Sequence, residues 1–186
     1  MLKKILYAST LALVSLAAQA DPFTTHFSYS GFFHEEGNVF DANHQINGSF
    51  TFENRNYNNV VERDELLALV VNGVDYIACA NDNNPYASCG AGNFSYQFGG
   101  SLNFSVGSSW HDPEWIVTGG YSVTSGVREN AYRAVFGNVD GYTYRFTPQT
   151  QLTVSAVPEP ETYAMMAAGL GMLGWLARRK RSNKKS

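Results

Sequence analysis

Apolar and polar positions alternate with a period of two through most of the middle of this chain. Phe23, Phe27 and Tyr29 fall on odd positions, and Ile46, Gly48, Phe50 and Phe52 on even ones. The runs Phe94–Phe98 and Leu102–Val106 alternate without a break. Such alternation sends one set of side chains to a core and the other to water, as in antiparallel strands. Turn chemistry punctuates the runs. Asn72-Gly73 separates Leu69–Val71 from Val74–Ile77 and reads as a two-residue hairpin. Gly99-Gly100 and Gly119-Gly120 are read as dividing two more strand pairs, and Asp140-Gly141 as preceding the strand Tyr142–Phe146. Glu62–Val70 departs from the pattern and could form a helical turn or two. The last strand is expected at Gln151–Ala156. Several short strands at this spacing predict an all-β fold, an antiparallel β-sandwich of about eight to ten strands.

Both ends break the alternation. Lys3 and Lys4 precede an apolar run from Ile5 to Ala17, and Ala18-Gln19-Ala20 offers small side chains at the two positions that signal peptidase reads. Residues 1–20 are therefore expected to be a secretory signal peptide, leaving Asp21 as the mature N-terminus. At the other end, Pro158-Glu159-Pro160-Glu161 is followed by an uncharged stretch from Thr162 to Ala177 and then by Arg178-Arg179-Lys180-Arg181. The prolines hold the backbone extended and cannot enter a helix interior. The stretch 162–177 is apolar on every helical face and is expected to form a single transmembrane helix. At about 1.5 Å per residue it spans about 24 Å, a marginal length for a bilayer core of about 30 Å. The arginine cluster marks the cytoplasmic side, and residues 182–186 continue it as a basic tail. Fold reasoning is thus confined to 21–157, about one domain.

This three-part ending resembles the PEP-CTERM sorting signal of Gram-negative bacteria, in which a Pro-Glu-Pro, a short membrane segment and an Arg-rich end occur in that order. Here Pro158, Glu159, Pro160, Arg178, Arg179 and Arg181 carry the likeness. The resemblance implies processing by an exosortase, a membrane-embedded cysteine transpeptidase-like enzyme. It also implies a precursor anchored for a time in the inner membrane, then delivery to the cell surface or extracellular matrix, where exopolysaccharide is an implied partner. General secretion machinery and signal peptidase are the partners that the N-terminal segment implies.

Charge is strongly segregated. The whole chain carries a formal −3, yet the stretch between the two signals has five arginines (Arg55, Arg63, Arg128, Arg133 and Arg145) against fourteen acidic residues, and no lysine lies between Lys4 and Lys180. With no basic patch to neutralise phosphates, nucleic-acid binding is disfavoured. Cys79 and Cys89 are the two cysteines, separated by a polar loop that contains Asn81-Asp82-Asn83-Asn84-Pro85. In an exported protein the default reading is a disulfide, worth about 2–3 kcal/mol for so short a loop.

Candidate chemistry is sparse. Counted from Asn54, oxygen-bearing side chains stand at positions 1, 3 and 5 (Asn54, Asn56 and Asn58), Val61 stands at 8 and Glu65 at 12, the spacing of an EF-hand calcium loop. Asparagine replaces each early aspartate, and Asn59 takes the glycine position, so any calcium site here is expected to be weak. Trp110 and Trp115 flank His111-Asp112-Pro113 and could stack on a sugar ring or anchor a core. His34, Glu36 and His44 can be drawn as a site, although sequence fixes no geometry for them; His26 and His111 are isolated. The chain lacks Gly-x-Ser-x-Gly, His-Glu-x-x-His and a phosphate-binding glycine loop. The expectation is a non-enzymatic exported protein with no cofactor and no metal, structural or adhesive in biofilm material as the resemblance implies. One alternative is a carbohydrate- or calcium-binding surface module. Another is a small surface hydrolase using His34, Glu35 or Glu36.

Overall fold

The computed structural model describes residues 22–53, 55, 56, 58–156, 169 and 170. The expected signal peptide, Asn54, Pro158–Pro160 and Arg178–Arg181 lie outside the described residues. The chain divides into two compact units, Met1–Ser155 and Ala156–Ser186.

The first unit is all-β. Its strands are β1 (Phe23–His34), β2 (Val39–Phe52), β3 (Val60–Glu62), β4 (Leu66–Val71), β5 (Val74–Asp75), β6 (Ala87–Gln97), β7 (Leu102–His111), β8 (Val117–Thr124), β9 (Arg128–Val135), β10 (Asn138–Arg145) and β11 (Gln151–Ala156). They form one sheet in the order β3-β6-β7-β8-β9-β10-β1-β2-β4-β5, with β11 added on β1. The ladders along that order are antiparallel. The seam between β10 and β1 is short, with only Phe33↔Arg145 and His34↔Tyr144 in register.

Beyond that seam the two halves of the sheet face each other. Phe27 of β1 packs on Phe104 of β7 at 5.3 Å between ring centroids, and Phe50 of β2 lies 5.2 Å from Phe94 and 5.0 Å from Tyr96 of β6. The Tyr29 hydroxyl donates to the Leu102 carbonyl at 2.8 Å, which satisfies its only polar group inside the core. Burying each such aromatic contributes about 1.5–3 kcal/mol, and the buried set draws on β1, β2, β3, β4, β6, β7 and β8. The phase of β1 changes once. Gly31, at φ +79°, forms a bulge between Ser30 and Phe32, so Phe27 and Tyr29 on odd positions and Phe32 on an even one all point inward.

Two expectations from the sequence are corrected. Gly119 and Gly120 lie inside β8 and do not divide a strand pair. Asp140 and Gly141 lie inside β10, and the turn before it is Phe136-Gly137 at φ +51° and +80°. The helical turn expected within Glu62–Val70 forms as one 3-10 turn, Arg63–Glu65, between Glu62 at the end of β3 and Leu66 at the start of β4. The Asn72-Gly73 hairpin forms as expected, with φ +48° and +86°. Its second strand is cut to two residues because the Asp75 carboxylate accepts the amides of Ile77 at 2.9 Å and Ala78 at 3.3 Å.

In the second unit the described residues are the strand end Ala156 and the helical pair Gly169 and Leu170. No helix among the described residues is long and apolar enough to cross a membrane.

Candidate functional site

The loop 53–65 is built around one carboxylate. Glu65 is 1% exposed. Its Oε1 accepts the amides of Arg55 at 2.8 Å and Asn56 at 3.3 Å, and its Oε2 accepts that of Glu62 at 3.1 Å. Burial pushes the Glu65 pKa up, but these three amides and the Arg55 charge outweigh it and hold the group below the ordinary carboxylate range. The amide oxygens are committed in the same way. Asn56 Oδ1 accepts the Asn58 amide at 3.1 Å and Asn58 Oδ1 accepts the Val60 amide at 2.9 Å. Asn59 takes the left-handed turn at φ +63°. The loop thus keeps an EF-hand-like spacing while its described oxygens face backbone N–H groups, a field suited to anions and not to a cation.

A second cluster lies between the facing halves. Glu129 of β9 is 1% exposed. Its Oε2 lies 2.5 Å from His44 Nε2, and its Oε1 accepts from the Tyr121 hydroxyl at 2.8 Å. Tyr121 in turn accepts from Asn72 Nδ2 at 2.8 Å. Burial, then the Glu129 charge, pushes the Tyr121 pKa well above its ordinary value, so the tyrosine stays a hydrogen-bond donor. The Tyr144 ring is stacked between two histidines, 3.6 Å from His44 and 4.7 Å from His34. His34 and His44 are therefore neighbours held apart by a ring, unable to converge on one ion. Glu36 accepts the Thr143 amide at 2.8 Å, which with its own backbone amide lowers its pKa. Its Oε2 is 3.3 Å from His34. Glu35 pairs with Arg145 at 3.8 Å. Among the described residues no three His, Cys, Asp or Glu groups come together to hold a metal. Sequence reasoning missed Glu129; its one signal is a lone carboxylate within the strand Arg128–Val135.

A third region lies at the end of the sheet where β7 turns into β8. Alternation along β7 places Trp110 on the inner face with Phe104 and Val106, and His111 on the outer face with Ser109. The Trp110 ring lies flat over Gly119, where an added Cβ would stand 2.6 Å from it. Trp115 stacks on His111 at 3.5 Å and 15°, so the two tryptophans belong to opposite faces and do not form one platform. Asp112 fixes the intervening loop. Its Oδ1 accepts the Val117 amide at 2.8 Å and its carbonyl accepts the Trp115 amide at 3.1 Å.

Trp115 is 68% exposed and Phe136 is 78% exposed, and both sit at positive φ, +57° and +51°. A bulky side chain in that region costs about 1–2 kcal/mol. The two turns touch through the Phe136 amide and the Ile116 carbonyl at 2.9 Å. Two strained, exposed aromatics do nothing for the core. On the outer face beside them, Tyr132 lies flat over Gly120, where an added Cβ would stand 2.6 Å from the ring.

Cys79 and Cys89 are joined in a disulfide with Cα atoms 5.7 Å apart, which fastens the 3-10 turn Cys79–Asn81 to β6.

Comparison with known proteins bears on the tail. Residues 156–181 match the PEP-CTERM protein-sorting motif. The match begins at Ala156, the last residue of β11. It supports an exported surface protein with an exosortase as its processing partner. No curated protein and no solved structure matches the chain.

Proposed function

We propose that the protein is a non-enzymatic surface or matrix component, structural or adhesive, whose folded β unit is delivered by tail processing. In this reading residues 1–20 are a signal peptide removed after general secretion, and 162–177 hold a short-lived precursor in the inner membrane. The unit that remains outside is a sandwich-like body made of the two facing halves of the sheet, and exopolysaccharide is the material that surrounds it. The observation that carries the reading is the motif match over 156–181, which starts where β11 stops. Folded chain and processing signal thus adjoin with no linker domain between them. The partnered state of Glu36, Glu65 and Glu129 further supports a scaffold role, because each carboxylate is engaged in holding loops or strands.

The test is replacement of Pro158, Glu159 and Pro160 by alanine in a host that carries its exosortase. The apolar span and Arg178–Arg181 remain, so the variant should accumulate as a larger, membrane-retained form while the parent is shortened and moves to the surface. Identical processing of parent and variant would overturn the sorting reading.

A further inference from the structure

We infer that the outer face of β6–β9, from the Trp115–His111 stack to the Tyr132 ring over Gly120, is a binding surface for an uncharged sugar chain. The inference deepens the adhesive part of the function proposed above and rests on it only in needing the folded unit to lie outside the cell.

Three observations converge. The first is the pair of aromatic platforms. Trp115 presents one ring face to solvent because its other face is covered by His111 at 3.5 Å. Tyr132, 41% exposed, lies flat on the sheet because Gly120 has no side chain to lift it. The antiparallel register puts His111 and the Gly120 position on neighbouring strands and two residues apart along them. That offset is about 8 Å by strand spacing and rise, a distance a disaccharide covers. Flat rings offer the C–H faces of a pyranose the kind of contact that a buried pocket offers an apolar ligand.

The second observation is what lies beside Tyr132. A shallow depression of about 430 Å3 is lined by Ser88, Ser109, Ser122 and Asn130, over Gly90 and Gly107. Its polar groups are hydroxyls and an amide, which both donate and accept as sugar hydroxyls do, and its lining contains no charged residue. Gly107 is not demanded by packing, since an added Cβ would meet nothing closer than 3.8 Å. A glycine inside a strand weakens it and marks places where another chain approaches the backbone closely.

The third is charge. The stretch between the two signals is acidic and free of lysine, and the β7–β8 loop carries Asp112 and Glu114 against one exposed cation on this face among the described residues, Arg128 at the far end of β9. Anionic lipid, nucleic acid and uronate-rich polymers are repelled, whereas a neutral polysaccharide is not. The platform is also rigid before binding, because Asp112 closes the loop that carries Trp115, so little ordering is lost on contact.

Affinity electrophoresis of the purified full chain, in detergent, tests this. Gels contain hydroxyethylcellulose, dextran or galactomannan as neutral probes, and alginate as the anionic one. At least one neutral polymer should retard the protein and alginate should not. Trp115→Ala and Tyr132→Ala should each weaken retardation by about fivefold, with unchanged far-UV circular dichroism. Gly107→Val fills the depression with a good strand former, so it should abolish retardation without loss of thermal stability; this keeps the test sound if an aromatic variant misfolds. Retardation by none of the neutral polymers overturns the inference. So does retardation by alginate alone, retention of binding in Gly107→Val together with the aromatic variants, or a dimer that Trp115→Ala dissociates. None of these outcomes depends on tail processing, so this inference and the sorting reading can fail separately.

Discussion

Glu129 on β9 and His44 on β2, 85 residues apart in sequence, meet inside the fold with Oε2 and Nε2 2.5 Å apart. No ladder joins those two strands, so the contact ties together halves of the sheet whose ladders, among the described residues, meet at the short β10–β1 seam. Tyr121 and Asn72 extend it to β8 and to the β4–β5 turn.

Removal of the carboxylate should therefore loosen the closure of the two halves. Glu129→Ala leaves the Tyr121 hydroxyl and the His44 ring without their buried partner, at a cost of about 3–5 kcal/mol. Glu129→Gln keeps an acceptor and the side-chain shape, and should cost about half as much. Urea unfolding followed by tyrosine and tryptophan fluorescence reads both. Equal losses would mean that the negative charge, which glutamine lacks, carries the whole effect, and a loss confined to Glu129→Ala would mean that the side chain supplies bulk alone.

Gly119 and Gly120 yield a prediction of opposite sign to the neighbouring Gly107. An alanine at 119 would put Cβ 2.6 Å from the Trp110 ring, and one at 120 would meet the Tyr132 ring at 2.6 Å and the Ser108 carbonyl at 3.1 Å. Both should displace their ring, lower stability by about 1–3 kcal/mol and alter the near-UV circular dichroism. Gly107→Ala has open space and should raise stability by about 0.5–1 kcal/mol. Melting curves for the three single variants check the order.

These glycines also mark the limit of what the sequence conveys. Period-two alternation places the core of β2, β6 and β7 correctly, because Ile46, Phe50, Phe52, Phe94, Tyr96, Leu102 and Phe104 are all buried. A Gly-Gly pair carries no sign of whether it bends the chain or lies under two rings. At Gly119-Gly120 the rings come from Trp110 on a preceding strand and Tyr132 on a following one. The bulge at Gly31, which flips the phase of β1, is likewise invisible without its partner strand. The tail was legible because its signal is local and ordered along the chain. Glu129 was not, since its meaning depends on His44 from the other half of the sheet.

The disulfide between Cys79 and Cys89 closes a short loop against β6. In the chain-entropy account it contributes about 2–3 kcal/mol. Reduction, or the double replacement by serine, should lower the urea midpoint without changing the strand content seen by far-UV circular dichroism, because β6 is also held by β7 along most of its length. A non-reduced peptide map should recover the linked pair. Two alkylatable thiols in the oxidised native protein would contradict the bond.

Glu65 decides what the Asn-rich loop can do. Its two oxygens already accept three backbone amides, and a calcium ion would have to displace these donors while bringing its own charge up to N–H groups. Titration calorimetry on the purified protein should therefore show no calcium site tighter than about millimolar. The same geometry makes Glu65 a stability element with a defined pH response. Its folded pKa lies below the ordinary value of 4.5, so the unfolded chain binds its proton first as pH falls. The stabilisation is present in full above about pH 5 and is lost as pH drops through the folded pKa. Glu65→Gln should cost about 1–3 kcal/mol at neutral pH and flatten the acid limb of stability against pH. Calcium binding in the micromolar range that vanishes in this variant would reverse the assignment, making Glu65 a ligand and the amide contacts a resting state. A parent and variant with parallel acid limbs would show instead that other carboxylates set the response.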